Sequence, residues 1–319
     1  MEGLLNSSDG DTRNVFDVLV RGRSSVDLTF LGLPHMPRLG EEYDATAFAM
    51  NPGAAFINVS ALSRLGLRTG YATDLGNDFF SRYILEHMRA AGIDETFLRL
   101  HDMDLTAISA GLSFPEDRTF ISWSANSDFQ NRGVMLEDLQ QHRVRCLFSH
   151  RHYSDEIHLE ARRQGTLICI DTSWDREFLE SDHVKSAIAQ ADAFMPNLPE
   201  ACVITGTHSA NDAMAVLRDA VPMVAIKLGP DGAIGSVHGR HYHVPAFPVD
   251  AVDTTGAGDN FDAGLIYGLL HDLPFEQCLR CAVAAGSLST RYAGGVQGSP
   301  TEDELLAAVE QLEYISKHA

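Results

Sequence analysis

The sequence predicts a three-layer α/β/α domain with a mostly parallel central sheet and a small, separate β-sheet. Apolar, strand-like runs alternate with amphipathic helical runs over most of the chain, which is typical of βαβ units on a parallel sheet. This alternation stops between residues 104 and 125, where two strand-like runs flank the turn sequence Pro-Glu-Asp-Arg. The excursion predicts a β lid beside the main sheet.

The N-terminal part of the chain begins with strands. Residues 15–20 form an apolar run, and residues 26–30 alternate between apolar and polar side chains, so both are predicted strands. Residues 43–50 are extended again. The Asn-Pro-Gly sequence at 51–53 is a predicted break, and an apolar helix over 54–65 follows it.

The lid is predicted to come from about residues 26–49 and 104–125, with hairpin strands at 106–114 and 119–124. Such a sheet is suited to close over a substrate site and to exclude water. Because exposed strand edges are ready to pair with another chain, we expect a homodimer through the lid.

The remaining elements complete the central layer and the layers that cover it. The other predicted strands are 69–73, 145–149, 166–171, 193–195, 223–227 and 233–237. The other predicted helices are 79–91, 132–141, 155–163, 182–190, 198–204, 209–219, 274–293 and 301–316. Residues 1–14 are polar and acidic, and they predict a flexible tail ahead of one domain over 15–319.

The bulk properties exclude several classes of partner. The formal net charge is −20, which argues against nucleic acid and anionic membrane surfaces as main partners. No apolar run approaches the ~18 residues that a membrane-spanning helix needs. The five cysteines are scattered and odd in number, so the sequence predicts a reduced, cytoplasmic protein.

The Gly-rich turn at 253–259, Asp-Thr-Thr-Gly-Ala-Gly-Asp, opens an apolar helix over 260–270. Its small residues leave backbone N–H groups accessible at the positive end of the helix, which predicts an anion site. Asp259 lies at the same place, where a carboxylate would repel an anion unless it has a chemical role. Accepting a proton from a hydroxyl that attacks a phosphate is such a role. The simpler alternative is that Asp259 is the N-cap of the helix.

Two other stretches place polar groups and glycines next to predicted strands. Asn197-Leu-Pro-Glu200 has the pattern of a helix start, with Asn as N-cap, Pro in the first turn and Glu in a capping box. Lys227-Leu-Gly229-Pro-Asp-Gly232 ends a strand in a strong turn sequence. Each stretch is also compatible with a purely structural role.

These motifs together resemble the PfkB-type, ribokinase-like carbohydrate kinases over nearly the whole chain. Residues 253–266 are similar to the C-terminal signature of that family. The other motifs that occur in the family's order and spacing are Val26-Asp27, Leu65-Gly66, Leu75-Gly76-Asn77-Asp78, Asn197-Leu-Pro-Glu200, Lys227-Leu-Gly229-Pro-Asp-Gly232 and Thr290-Arg291. The resemblance implies a ribokinase-like fold and an ATP-dependent phosphotransferase that phosphorylates an alcohol group of a sugar or sugar-like molecule.

The resemblance also implies roles for individual residues. Asp259 corresponds to the family's general base, and Gly256, Ala257 and Gly258 correspond to its anion hole. The residues expected to contact ATP and Mg²⁺ are Asn197, Glu200, Lys227, Gly229 and Gly232. Asp253 and Thr255 match a region that holds a monovalent cation such as K⁺ in some members.

The acceptor side departs from the family pattern. Asp27 matches the family's acceptor-binding Asp, and Gly53 keeps one glycine of a usual Gly-Gly pair, in which Pro52 replaces the other. The family's Asn falls on Ile57, one residue before Asn58. Either the helix start is shifted by one residue or this contact is absent. The expected acceptor-binding residues are therefore Asp27, Gly53 and Asn58.

Two alternative functions stay open. A nucleoside kinase of the same superfamily is one, because apolar residues at 54–57 and lid residues at 120–123 are able to stack a base. A non-catalytic sugar or nucleotide sensor is the other, because Pro52 and Ile57 depart from the family pattern. The intact Asp259 argues against the sensor.

Overall fold

The structure, a computed structural model, describes residues 15–114, 118–126, 136–150 and 155–318. The predicted tail at 1–14 lies outside the described residues. The centre of the predicted lid turn and the beginning of the helix predicted at 132–141 also lie outside them.

The described residues form an alternating series of strands and helices. The strands are β1 (Val15–Arg21), β2 (Ser24–Leu31), β3 (Ala47–Ala54), β4 (Thr69–Leu75), β5 (Leu98–Leu100), β6 (Ala107–Ser113), β7 (Arg118–Ser124), β8 (Arg143–His150), β9 (Leu167–Asp171), β10 (Ala193–Phe194), β11 (Met223–Lys227), β12 (Ala233–Val237) and β13 (Arg240–Val244). The helices are α1 (Ala55–Arg64), α2 (Phe79–Ala90), α3 (Leu136–Gln141), α4 (Asp155–Arg163), α5 (Arg176–Leu179), α6 (Asp182–Gln190), α7 (Leu198–Thr205), α8 (Ala210–Ala220), α9 (Ala257–Leu270), α10 (Phe275–Ser289) and α11 (Glu302–His318).

The central sheet contains nine of the described strands, in the order β13-β12-β11-β10-β9-β8-β1-β4-β5. Strands β5 to β11 in this order pair in parallel, whereas β12 and β13 add an antiparallel hairpin. The predicted mostly parallel sheet is therefore confirmed. Strand β1 lies between β4 and β8, where the direction of strand addition reverses. Ligands of open α/β sheets bind beyond the carboxyl ends of the strands at such a reversal.

Helices cover both faces of this sheet. Residues of α1, α2, α9, α10 and α11 belong to the core on one face, and residues of α3, α4, α6, α7 and α8 belong to the core on the other. In β1, Val18 and Val20 pack on the first face and Leu19 on the second, as the alternation of side chains in a strand requires. No helix within the described residues combines the length and the apolar character that crossing a bilayer requires.

A second, smaller sheet contains four described strands in the order β3-β2-β6-β7 and forms the lid. Asp27 on β2 lies opposite Asn51 on β3 and beside Ser109 on β6, which lies opposite Ser122 on β7. Because paired residues point to the same side of a sheet, these four share one face. We call it the polar face of the lid, and we call the other side its apolar face.

The prediction of a break at residues 51–53 was wrong, because these residues lie within strand β3. The strand runs through all three residues to Ala54, and Pro52 lies opposite Val26. In the described part of the lid, β3 is an outer strand. An outer strand tolerates proline because one side of its ladder needs no N–H donor. Helix α1 follows directly, with φ 53° and ψ −141° at Ala54.

Three described elements, β5, β13 and α5, were not among the predicted ones. Strand β5 has three residues and α5 has four, so neither is long enough to show a periodic pattern. Strand β13 is Arg-His-Tyr-His-Val and is mostly exposed, so it lacks an apolar alternation. Its pairing with β12 decides its conformation.

Candidate active site

The positive end of helix α9 lies at the predicted Gly-rich turn. The helix begins at Ala257, and Gly256 is its N-cap residue, with φ 73° in the left-handed region that favours glycine. Asp259 lies inside the first turn and is not the N-cap, so the simpler interpretation of this residue was wrong. The N–H of Ala257 donates to the carbonyl of Thr254 at 3.2 Å and closes the turn. The first N–H groups of a helix have no acceptor within the helix, so they are available to donate hydrogen bonds to an anion.

Asp253 holds this turn in shape. Its carboxylate accepts hydrogen bonds from the N–H and the hydroxyl of Thr255, at 2.9 and 2.8 Å, and from the N–H of Gly294, at 2.9 Å. The side-chain amide of Asn260 donates to the carbonyl of Gly295 at 3.0 Å. These bonds tie the turn to the loop after α10. The start of α9 is therefore preorganised, as charge stabilisation requires.

Asp27 lies near the beginning of lid strand β2, which directly follows strand β1 of the central sheet. The residue is 8 % exposed, and Ser25 donates a hydrogen bond to its carboxylate at 3.3 Å. A Cβ atom at Gly53 would lie 2.2 Å from a carboxylate oxygen of Asp27, so only glycine leaves room there. Asn51 is buried opposite Asp27 and adds an amide to the same place. Because residues 51–53 were predicted to be a break between elements, sequence reasoning did not place Asn51 next to Asp27.

The Asp27 carboxyl is electrostatically linked to the start of α9. Burial is the main cause that raises its pKa, to about 6. The hydrogen bond from Ser25 opposes this effect, while the charges of Asp259 and Asp253 add to it. Asp27 and Asp259 are therefore close enough to sense each other's charge. An acceptor hydroxyl held by one carboxylate and deprotonated by another needs such proximity.

Helix α1 contributes Ile57 and Asn58, the two candidates for the family's Asn position. The amide of Asn58 is fully buried and donates to the backbone carbonyl of Asp259 at 3.3 Å. A Cβ atom at Gly256 would lie 3.0 Å from Cγ2 of Ile57, so Ile57 packs against the N-cap of α9. Both residues therefore support the start of α9.

The helix start predicted at Asn197 is present as a complete capping box. The side-chain oxygen of Asn197 accepts from the N–H of Glu200 at 2.9 Å, and the carboxylate of Glu200 accepts from the N–H of Asn197 at 3.2 Å. Glu200 is buried and also accepts from the hydroxyl of Thr172 at 3.0 Å. Burial, followed by the charge of Asp171, raises the pKa of Glu200 to about 7.

Lys227 and the two glycines that follow it have different surroundings. The ammonium of Lys227 is buried in ion pairs beneath the Gly-rich turn. Gly229 and Gly232 lie in the tight turn between β11 and β12, with φ of 61° and 83°. A Cβ atom at Gly232 would lie 2.1 Å from the carbonyl oxygen of Val244. Packing and backbone conformation alone therefore explain Gly232.

The lid reaches the Gly-rich turn through an arginine. Arg118, at the beginning of β7, donates a hydrogen bond to the hydroxyl of Thr254, and its guanidinium lies 3.9 Å from the carboxylate of Asp253. At the other end of β7, Ser124 accepts a hydrogen bond from Arg23 at 3.4 Å. Sequence reasoning missed both arginines because these partners are 136 and 101 positions away.

Known proteins share this sequence pattern. Residues 18–302 match the pfkB family carbohydrate kinases. The chain is similar to a ribokinase from Haemophilus influenzae, at 25% identity over 297 residues that cover 88% of this chain and 94% of the relative. It is also similar to an aminoimidazole riboside kinase from Salmonella typhimurium, at 29% identity over 277 residues that cover 80% of this chain and 86% of the relative.

The fold has counterparts among solved structures. Arabidopsis thaliana ribokinase, complexed with ribose and ATP, matches it with a TM-score of 0.77 at 22% identity, covering 93% of this chain and 99% of that chain. This likeness confirms the predicted ribokinase-like, three-layer fold with its small second sheet. Because the family match extends over most of the sequence, the chain belongs to the pfkB family of carbohydrate kinases.

Proposed function

We propose that this protein transfers the γ-phosphoryl group of ATP to a hydroxyl of a sugar or sugar-like acceptor, with Asp259 as the general base. The observation that carries this proposal is the placement of Asp259. It lies in the first turn of α9, and its charge reaches Asp27 on the polar face of the lid. A base at this position is next to an anion-binding helix start and to an acceptor-binding carboxylate.

In the proposed step, the acceptor hydroxyl oxygen bonds to the γ-phosphorus while the bond from that phosphorus to the β,γ-bridging oxygen breaks. The hydroxyl proton passes to the carboxylate of Asp259, and ADP leaves. Asp27 and Asn51 bind other hydroxyls of the acceptor and orient it, with Gly53 leaving them room. The dipole of α9 and the N–H groups at Gly256–Gly258 stabilise charge on the transferring phosphoryl group.

The nucleotide side of the proposed site lies between α7 and α9. Mg²⁺, when bound with ATP, neutralises phosphate charge. The oxygens of Asn197 and Glu200 suit this hard cation, which they would hold through water and phosphate oxygens. Gly229 and Gly232 give the β11–β12 turn its shape, and the turn is proposed to contact the nucleotide.

A monovalent cation such as K⁺ at Asp253 and Thr255 is part of the same proposal. What supports it is a buried carboxylate at the junction of two loops, where Thr255 and Gly294 donate to Asp253. A cation there would stiffen the turn that ends at Gly256. Phosphoryl transfer measured in potassium and in tetramethylammonium buffers at equal ionic strength tests this point, and equal rates would remove the cation from the proposal.

The exchange Asp259→Asn tests the proposed base. It keeps the shape of the side chain and removes its ability to accept a proton, so kcat should fall by about 10²–10⁴-fold. The measurement is ADP formation with ATP, Mg²⁺ and a panel of sugars and nucleosides. Asp250→Asn, at an exposed acidic residue nearby in sequence, is the matched control and should keep the wild-type rate. A folded Asp259→Asn protein with near-wild-type transfer would refute the assignment.

Phe120 favours a nucleoside acceptor as the second candidate. The residue is on the polar face of the lid, two positions from Ser122, and its ring lies over Gly111 on β6. An aromatic side chain there is able to stack a base. Trp123, by contrast, pairs with Ile108 and belongs to the apolar face. Preferred turnover of nucleosides over sugars in the same panel would select this candidate.

The panel also tests a non-catalytic sensor. Tight binding of ATP or of a sugar, without phosphorylation of any acceptor, would identify the protein as a sensor built on this fold. The capping box at Asn197, the preorganised turn before α9 and the carboxylate of Asp259 support catalysis instead.

We propose a homodimer through the lid as the quaternary state. Strands β3 and β7 are the outer strands in the described part of the lid. The apolar face exposes Phe48, Ile121 and Trp123. A second copy of this sheet would cover these side chains. We also propose a reducing, cytoplasmic setting, since all five cysteines, which fall within the described ranges, are free thiols.

A further inference from the structure

A buried cluster of one ammonium and two carboxyl groups lies next to the proposed anion hole. Lys227 ends strand β11, and its ammonium lies 3.0 Å from Oδ2 of Asp171 at the end of β9 and 2.7 Å from Oδ1 of Asp262 on α9. The side chain of Asp262 has no exposed surface, and that of Lys227 is 11% exposed. Neither Asp171 nor Asp262 has a part in the phosphoryl transfer described above.

The ammonium of Lys227 lies next to the Gly-rich turn. A Cβ atom at Gly258 would be 3.5 Å from Nζ of Lys227. The same Nζ lies 5.7 Å from the centre of the Phe261 ring, on the next turn of α9. Asp262 follows Asp259 by three residues, so the ion pair lies on the same side of α9 as the proposed base, one turn further along.

The cluster continues to the start of helix α7. Thr172, next to Asp171, donates its hydroxyl to the carboxylate of Glu200 at 3.0 Å, and Glu200 closes the capping box with Asn197. The backbone N–H of Lys227 also donates to the carbonyl of Pro196 at 2.9 Å. Polar contacts, together with the peptide bond between Asp171 and Thr172, therefore connect the start of α7 to Lys227 and through it to α9.

Stability alone does not explain this cluster. Replacing a buried ion pair by apolar residues of similar volume is often neutral or stabilising, because desolvation offsets the attraction between the charges. Here one ammonium contacts the carboxyl groups of Asp171 and Asp262, and the charge of Glu200 also acts on it. Burial lowers the pKa of Lys227, but these carboxylates raise it above its ordinary value, so the lysine keeps its charge. The positive charge next to Gly258 is thus balanced by the carboxyl groups of Asp171 and Asp262.

We propose that Lys227 and Asp262 are a positioning pair for phosphoryl transfer. Asp262 fixes the ammonium of Lys227 next to Gly258, where the ammonium keeps the carboxylates of Asp171 and Asp262 from opposing the developing negative charge on the phosphoryl oxygens. The pair also sets the start of α9 relative to the start of α7. This inference rests on the proposed function, because it assumes that the phosphoryl group sits over Gly256–Gly258. It differs from the role implied by family resemblance, in which Lys227 contacts the nucleotide.

Three variants test the pair: Lys227→Met, Asp262→Asn and the double variant. Each single exchange should lower kcat by roughly 10- to 100-fold. This is the usual effect of removing a group that orients the ligands of a metal site without contacting the metal, and we expect a similar effect here. The KM values for ATP and for the acceptor should stay within about threefold, because the interaction is made in the transition state. The double variant should resemble the single ones, since residues that act as a unit are not additive.

A binding measurement separates this inference from the proposed function. ADP with aluminium fluoride and Mg²⁺ mimics the transferring phosphoryl group and needs no acceptor turnover. Lys227→Met and Asp262→Asn should weaken binding of ADP–aluminium fluoride at least about tenfold and leave binding of ADP alone unchanged. This readout remains valid even if the wild-type protein phosphorylates nothing, which would refute only the proposed function.

Thermal unfolding and a surface pair provide the controls. Arg89 and Glu95 form an exposed ion pair at 2.7 Å, so Glu95→Gln removes a carboxylate of the same kind and should leave kcat unchanged. If Lys227→Met does not fold, Asp262→Asn and the double variant still decide the question. Folded variants with a lower Tm but wild-type kcat and ADP–aluminium fluoride affinity would overturn the proposal. A raised KM for ATP with unchanged kcat would instead make Lys227 a direct nucleotide ligand.

Discussion

Asp27 shows how a proposed binding residue can lower the stability of the folded state. Its carboxylate is buried beside Gly53, and the charges of Asp253 and Asp259 act on it as well. Burial raises its pKa from 3.8 to about 6, so the folded protein holds a proton on Asp27 more tightly than the unfolded chain does. Ionised Asp27 therefore lowers the free energy of unfolding at neutral pH.

Asp27→Asn should stabilise the protein while it impairs acceptor binding. The shift from 3.8 to about 6 corresponds to at most about 3 kcal/mol in the free energy of unfolding. The gain should be largest above pH 6, where wild-type Asp27 is ionised in the folded state, and it should shrink as pH falls towards 4. Urea unfolding of both proteins at pH 5 and pH 8 measures it.

The functional half of this prediction is a raised KM for the acceptor in Asp27→Asn, with the KM for ATP unchanged. Ser25→Ala is a useful comparison, because it removes a hydrogen bond to the same carboxylate and keeps the charge. An Asp27→Asn protein that is less stable than wild type at pH 8 would show that ionised Asp27 does not destabilise the folded state.

At the scale of elements, the N-cap residue of helix α7, Asn197, has an observed structural role and a proposed chemical role. Asn197 caps the helix and closes a box with Glu200, and this alone accounts for both residues in stability terms. The contribution to phosphate and Mg²⁺ binding is a separate proposal for the same atoms. Substitutions that keep the cap and change the charge distinguish the two functions.

Asn197→Asp should keep the cap and lose activity. Asp caps a helix as well as Asn does, so the free energy of unfolding should change little, while a carboxylate next to the phosphates should lower kcat. Asn197→Ala should lose about 1 kcal/mol of stability together with activity. Denaturant unfolding and ADP formation give the two readouts. Full activity in Asn197→Asp would leave Asn197 as a cap only.

The junction between β3 and α1 is a second element of this kind. Ala54 adopts φ 53° and ψ −141°, a conformation that costs an alanine roughly 1–3 kcal/mol. The strain lies one residue after Gly53, which packs against Asp27, and three residues before Ile57, which packs on the N-cap of α9. The backbone at this point therefore connects the proposed acceptor site to the Gly-rich turn.

For the whole molecule, the lid contacts both parts of the proposed site and is the proposed dimer surface. Its polar face carries Asp27, and Arg118 connects its outer strand to Thr254. Its apolar face exposes Phe48 and Trp123. A sheet with one polar and one apolar face normally buries the apolar face.

Trp123→Asp should convert a dimer into a monomer. A charge on the apolar face opposes burial against a second copy, because a buried unpaired carboxylate is costly. Light scattering after size-exclusion chromatography should give about twice the chain mass for wild type and the chain mass for the variant. Val216→Asp, at an exposed apolar residue on α8, is the control and should remain dimeric. A monomeric wild-type protein would refute the lid dimer.

Short-range patterns were sufficient for the layers, the Gly-rich turn and the capping box. Alternation of apolar runs depends on neighbours a few residues apart, and so do the N-cap at Asn197 and the glycine at the start of α9. The family resemblance added the role expected of Asp27 and supported the role that the Gly-rich turn suggests for Asp259. These features could be predicted because the residues that define them are close in sequence.

The rest depended on contacts between distant segments. Asn51 lies opposite Asp27 only because β3 continues through Pro52 and pairs with β2. Asn58 contacts the backbone of Asp259, which is 201 positions away. The cluster of Lys227 and Asp262 forms because parallel strands bring their carboxyl ends to one edge of the sheet, above which α9 begins. Charge pairing and burial are set by this assembly, so only the tertiary structure decides which of the many acidic residues surround the reacting groups.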